Sequence, residues 1–289
     1  MEKIVDYKCT YDNAAGIDER AIKKLNLVFP DAYKHGDTMA LIAKELKDFE
    51  KMNFCELPFD HTVEGEAMGG HVNFGDEKVG PRAKDYICTS PEEILELPDI
   101  DFTKGRIKEV LEAGKKLRSE GENVVLDVSG PFTILNVLLD VKYVFKGMRK
   151  NPEVMDKVFK KLNINILNYI KAAQDAGINM ISYADSAGGL NIIGPKMAEQ
   201  IACEVTYPLL KQVEEVLNDK TMVVLCPKTS LALIGTEKAQ WENIEMPEVM
   251  TYGEAVPKVI GKVKFAGQTC IKNVSFELKD KVFKGIKLV

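Results

Sequence analysis

Residues 122–132 read ENVVLDVSGPF, and the fold turns on how this stretch is read. Val124 to Val128 is a continuous run rich in β-branched residues, of the kind buried on both faces of a sheet, and it stops at Ser129, Gly130 and Pro131. A parallel strand fits that pattern. Residues 151–177, NPEVMDKVFKKLNINILNYIKAAQDAG, then supply a crossover helix, with Asn151 suited to the N-cap, Pro152 to the first helical position and Gly177 to the stop. Val154, Val158, Leu162, Ile166, Ile170 and Ala173 recur near i, i+4 spacing and give this helix one sheet-facing side. INMISYAD follows as the next strand, from Ile178 to Tyr183. Another helix leads to TMVVLCPKTSLAL, Thr221 to Leu233, whose apolar run ends on Cys226 and turns through Pro227 into a further helix.

Worked outward, the alternation yields seven strand candidates. They are Leu25–Phe29, Asn53–Phe59, Val124–Val128, Ile178–Tyr183, the run ending on Cys226, Trp241–Met246 and Lys262–Gly267. The tail VSFELKDKVFKGIKLV is left as a final hairpin or an atypical eighth element. Alternating strands and helices mean an α/β protein. No G-x-G-x-x-G or P-loop follows any strand, so a (β/α)8 TIM-type barrel with a shortened or atypical C-terminal unit is favoured over an open doubly wound sheet. The 289 residues carry no low-complexity linker, and one domain over 1–289 is expected.

Composition narrows the function. A net charge of -5, from 39 basic against 44 acidic residues, argues against a nucleic-acid surface. The N-terminus MEKIVDYKCTYD has no apolar signal core, and no apolar run approaches the roughly 20 residues of a membrane span, so a cytoplasmic protein without a membrane partner is expected. The six cysteines lack the close spacing of a disulfide framework or zinc ribbon, which leaves reduced core thiols or ligands.

In a barrel of this type the chemistry sits at the C-terminal ends of the strands. Those ends carry Asp60 and His61, Ser129, Asp185 and Ser186, Cys226, Glu245 and Cys270. A cysteine in an apolar strand is ordinarily a small core residue, and it is this placement that makes Cys226 a candidate ligand. Cys270, beyond a glycine in the polar loop FAGQTCIKN, is poorly suited to a core. Asp185 could instead cap a helix, and Glu64 and Glu66 could simply start one.

The segments FDHTVEGEAMGGHVNFGDE, VSGPFTILNVLL and AAQDAGINMISYADSAGGLNIIGPKMAEQ, with the strand ending on Cys226, together resemble the uroporphyrinogen decarboxylase superfamily from about Gly36 to Cys270. That resemblance implies one of two chemistries: cofactor-free decarboxylation of a tetrapyrrole, or zinc-dependent methyl transfer involving a corrinoid protein. The decarboxylases resembled carry an N-terminal arginine-bearing segment for many carboxylates, where this chain has LVFPDAYKHGD. The methyltransferases resembled place His-x-Cys at the end of the fifth strand, where this chain has Val224-Leu225-Cys226.

The resemblance therefore implies a zinc-dependent methyltransferase. It would move a methyl group between a small methylated compound, such as a methyl ether, and cobalamin carried by a separate corrinoid protein, because no D-x-H-x-x-G cobalamin motif stands in this chain. Its metal ligands are expected to be Cys226, Cys270 and Asp185, its catalytic groups Asp185, His61 and Glu64, and its substrate contacts Asp60, His61, Ser129 and Glu245. His35 and His71 are outside candidates for the metal. A coenzyme M methyltransferase, a uroporphyrinogen decarboxylase and a non-catalytic binding barrel are the alternatives.

Overall fold

The computed structural model describes residues 4–9 and 16–289. Strands β1 (Cys55–Leu57), β4 (Val124–Ser129), β5 (Met180–Ala184), β6 (Met222–Leu225) and β8 (Phe265–Ala266) lie side by side and parallel. Strand β9 (Val282–Leu288) pairs antiparallel with β8, and β7 (Ala239–Glu245) pairs antiparallel with β9 at the far edge. The remaining two strands, β2 (Val72–Asn73) and β3 (Arg82–Ala83), form a small separate ladder.

Alternation along each strand divides its side chains between two cores. Val124, Leu126 and Val128 of β4, Ile181 and Tyr183 of β5, and Val223 and Leu225 of β6 join the large cluster under the helices. Val125, Met180, Met222, Val224, Ala266 and Phe283 join a second cluster on the opposite face, with Phe54, Val256 and Val259. Strands packed on both faces read as largely apolar runs, which is why β4, β5 and β6 are legible in sequence. A sheet that surrounds its own core in this way is the α/β arrangement of a TIM-type barrel. Its backbone ladder runs from β1 to β7, the two edge strands.

The long helix Pro152–Asp175 begins at Pro152 with Asn151 at the N-cap position, where the Asn151 side chain turns to Glu92 and does not cap the helix, and Gly177 follows it with a φ of +80 that suits glycine. Two strand expectations are corrected. Leu25–Phe29 is no strand: Lys23–Leu25 is a turn of 3-10 helix, Asn26 is left-handed, and Leu25, Leu27 and Phe29 pack on a satellite core with Tyr33 and Ile42. Trp241–Met246 forms β7 but does not lie beside β8, because the final segment inserts between them as β9. Among the described residues no helix is long and apolar enough to cross a membrane.

Candidate active site

At the mouth end of the inner face the apolar residues give way to charge. Glu56 of β1, Asp127 of β4 and Ser182 of β5 face inward, and Lys272 from the loop after β8 forms an ion pair with Glu56 at 2.9 Å. Glu56 and Asp127 line one cavity, and Ser182 is the ladder partner of Asp127 on the neighbouring strand. Burial first, then the Glu56 charge, pushes the Asp127 carboxyl well above the ordinary carboxylate range. Burial also works against the Glu56 charge, but Lys272 outweighs it and holds that carboxyl below its ordinary value.

Two cavities meet at this cluster. One of about 260 Å³ is lined by Glu56, Phe59, Asp60 and Leu46 among others; the second, of about 360 Å³, is lined by Cys9, Cys226, Cys270, Ser186 and Lys228 among others. His61, Asp127 and Lys272 line both. The Lys272 side chain is 38% accessible, so the buried carboxyls can be reached from the open cavities. His61 is pushed below the ordinary imidazole range by burial, then by the Lys272 charge, against the partial opposition of Asp60 and Glu56. It is a neutral ring at pH 7.

The thiols stand at strand ends, as barrel geometry demands. The Cys226 N–H donates to the Tyr183 carbonyl at 2.8 Å, and the residue precedes helix Pro227–Gly235, whose Thr229 and Ser230 amides donate to the Cys226 carbonyl at 2.8 and 3.1 Å. Burial raises the Cys226 thiol, and the Lys228 and Thr229 amides lower it in part. The Cys270 thiol is pushed up to about 12, chiefly by burial, with the Lys272 amide and charge opposing and Cys226 and Cys9 adding. The two sulfurs line one cavity, and a thiophilic cation is what would let both ionise there. Cys226 and Cys270 fit the sulfur part of a zinc centre. Among the described residues no three His, Cys, Asp or Glu side chains are gathered closely enough to hold an ion.

Asp185 is turned elsewhere. Its carboxylate accepts from the Phe132 amide at 3.2 Å, the Thr133 amide at 2.8 Å and the Thr133 hydroxyl at 2.9 Å, capping helix Pro131–Leu138. Gly130 permits this approach, since a β-carbon there would sit 2.3 Å from that of Asp185. Burial raises the Asp185 carboxyl to about 6 despite these donors. It lines a small neighbouring cavity with Tyr7, Gly188 and Lys228, apart from the space shared by the thiols.

Other expected residues disperse. Asp60 is held by Arg106 at 2.6 Å and accepts from the Thr62 amide and hydroxyl, while Arg106 also binds Glu66 at 2.6 Å. Glu64 is fully enclosed and accepts the Ser129 amide at 2.7 Å; neither residue lines the two cavities. Glu245 is exposed, because alternation along β7 turns it outward from Ile244, which packs on the inner core. His71 pairs with Asp85 on the surface at 3.2 Å, and His35 precedes helix Gly36–Glu50. His61, Cys226 and Cys270 are thus the expected residues that converge on the larger cavity, and Asp60 with His61 lines the smaller one. Glu56, Asp127 and Lys272 were not anticipated; the one signal available was an acid inside each of two strands otherwise apolar at that point, CEL and VVLDVS.

An α/β barrel whose mouth combines buried acids, a neutral histidine and two strand-end thiols defines a class in which small-molecule chemistry is done at that end. The chain belongs to the uroporphyrinogen decarboxylase (URO-D) family, whose model matches residues 15–267. It is similar to the methylcobamide:CoM methyltransferase MtaA of Methanosarcina barkeri, 24% identical over 241 residues that make up 82% of this chain and 70% of the relative. Likeness to MtbA of Methanosarcina acetivorans, also a methylcobamide:CoM methyltransferase, is 22% identity over 76% of this chain and 65% of that protein. The solved structure of a methyltransferase from Methanosarcina mazei overlays with a TM-score of 0.64 at 22% identity, covering 76% of this chain and 65% of that one. The likeness runs to the corrinoid-dependent methyltransferase branch of the family.

Proposed function

We propose that this protein is a corrinoid-dependent methyltransferase that exchanges a methyl group between a small methylated compound, such as a methyl ether, and the cobalamin of a separate corrinoid protein. The observation that carries this reading is the meeting of Cys226 and Cys270 on one cavity at the strand ends, in a chain similar to methylcobamide:CoM methyltransferases. Cys226 and Cys270 would hold a zinc ion, and zinc so held supplies a Lewis acid for the heteroatom that carries the methyl group. The Lys228 and Thr229 amides stabilise negative charge on the Cys226 sulfur. Neutral His61 is available to donate or accept a hydrogen bond with a compound in either cavity. Asp185 is dropped from the ligand set, since its carboxylate is committed to a helix cap.

Coenzyme M as the second substrate is the alternative that the names of the relatives favour. Both readings share the corrinoid partner. Protein prepared with zinc is expected to retain about one ion per chain, and to lose it in Cys226→Ser and Cys270→Ser. With a reduced corrinoid protein and a panel of methyl ethers, methylated corrinoid should accumulate and be seen by its absorption. Formation of methylated coenzyme M from methylated corrinoid, with no ether turned over, selects the alternative. No metal and no methylated product with either substrate class overturns the reading.

A further inference from the structure

We propose that Asp127 donates a proton to the atom that loses its methyl group, with Glu56 and Lys272 as positioning residues that keep the proton on Asp127. The inference rests on the methyl-transfer reading and extends it to the substrate: a donor whose leaving atom is a poor anion, an ether oxygen.

Geometry supplies the argument. Glu56 and Asp127 line one cavity with a single ammonium, Lys272, to balance them, and of two acids that share such a site one keeps its proton. Lys272 sits 2.9 Å from Glu56 and so fixes the charge there, which leaves the proton with Asp127. Asp127 is 6% exposed, yet it lines both cavities, and the larger one also carries Cys226 and Cys270. The groups that face it are Glu56 from β1, Ser182 from β5, Lys272 from the loop after β8 and His61 from the loop after β1. Tyr169 of the long helix is fully buried and within electrostatic reach. A purely structural role explains the cluster poorly. Buried ion pairs add little stability over apolar residues of similar size, and the inner positions of β4 and β5 one step deeper are Val125 and Met180.

The step balances. The carbon–oxygen bond of the ether breaks with its electron pair left on oxygen, and the methyl carbon bonds to cobalt through the electron pair of reduced Co(I), which becomes Co(III). The Asp127 O–H breaks, its proton passes to the oxygen, and an alcohol or phenol leaves. Asp127 regains its proton from water in the cavity. General acid assistance of this kind is worth about 10²- to 10⁴-fold in rate.

Asp127→Asn keeps shape while removing the acid, and circular dichroism establishes that it folds. In infrared difference spectra at pH 7 the wild type should show a protonated-carboxyl band, absent from D127N, that shifts when anisole enters the cavity. With reduced corrinoid protein and aryl methyl ethers of graded phenol acidity, D127N should slow the poorest leaving groups about 10²-fold or more and the best ones least. The fall in wild-type rate at high pH should move to lower pH in Glu56→Gln, a change that a merely structural residue would not produce. A band that persists in D127N, a band that ignores anisole, or an equal slowing of all ethers overturns the assignment. If the wild type turns over no ether, the reaction class fails, and the infrared response to anisole still decides whether Asp127 presents its proton to a cavity ligand.

Discussion

Arg106 ties together three side chains beside the site. Its guanidinium is enclosed beside Asp60, Glu66 and the Thr62 hydroxyl. Burial works against its charge, and the two carboxylates more than compensate, so its pKa rises. Removing one partner of such a buried pair strands the other. Arg106→Leu should therefore lower the free energy of unfolding by about 3–5 kcal/mol, read from urea midpoints, and Asp60→Asn added to it should recover part of the loss. A cost within experimental error would mean that Asp60 finds water when Arg106 is gone. Asp60 is conspicuous in FDHT, but its partner lies 46 residues away in an ordinary basic helix segment, KGRIKEV. Pairing at that separation leaves no periodic trace in the sequence, so Asp60 reads there as a substrate contact.

Among the elements, helix Pro131–Leu138 depends on an acid borrowed from the next strand's end. With its carboxyl raised to about 6, Asp185 binds its proton more tightly in the folded chain than in the unfolded one, where about 3.9 is usual. Its contribution favours folding at low pH and is lost as pH rises through about 6. Subtracting the stability profile of Asp185→Asn from that of the wild type should leave a curve that declines between about pH 4 and 7, by at most about 3 kcal/mol. A flat difference would mean that the carboxyl titrates alike in both states. The βαβ unit from Val124 to Ala184 was legible because its strands are largely apolar on both faces and its helix bears Asn151, Pro152 and Gly177 in order. The C-terminal strands were not, since nothing local to KVFKGIKLV says that it enters between β8 and β7.

For the whole molecule, the six thiols form a graded set that the fold imposes. Cys9 is exposed, Cys203, Cys226 and Cys270 are half-buried, and Cys55 and Cys88 are buried. Cys55 is further held in the thiol form, pushed up to about 12 by burial and the nearby Glu122. Mass-spectrometric alkylation should modify Cys9 first and leave Cys55 and Cys88 until unfolding. Zinc should protect Cys226 and Cys270 while leaving Cys203 unchanged, and equal labelling with and without zinc would count against the two-thiol centre. This pairing was readable once strand ends were counted, because a barrel brings residues 44 apart in sequence to one rim. The charged layer of Glu56, Asp127 and Lys272 was hidden for the opposite reason: each acid looks like an interruption in its own strand and acquires meaning only across neighbouring strands.

The final strand's insertion gives the protein a built-in optical probe. Trp241, the chain's one tryptophan, sits on β7 opposite Ile286 of β9, half-buried against the outer core and away from both cavities of the mouth. Ile286 is also the partner of Phe265 in β8. Indole emission thus watches the seam that ties the antiparallel edge to the parallel sheet, and its colour tracks the closing of that seam while chemistry proceeds unseen at the rim.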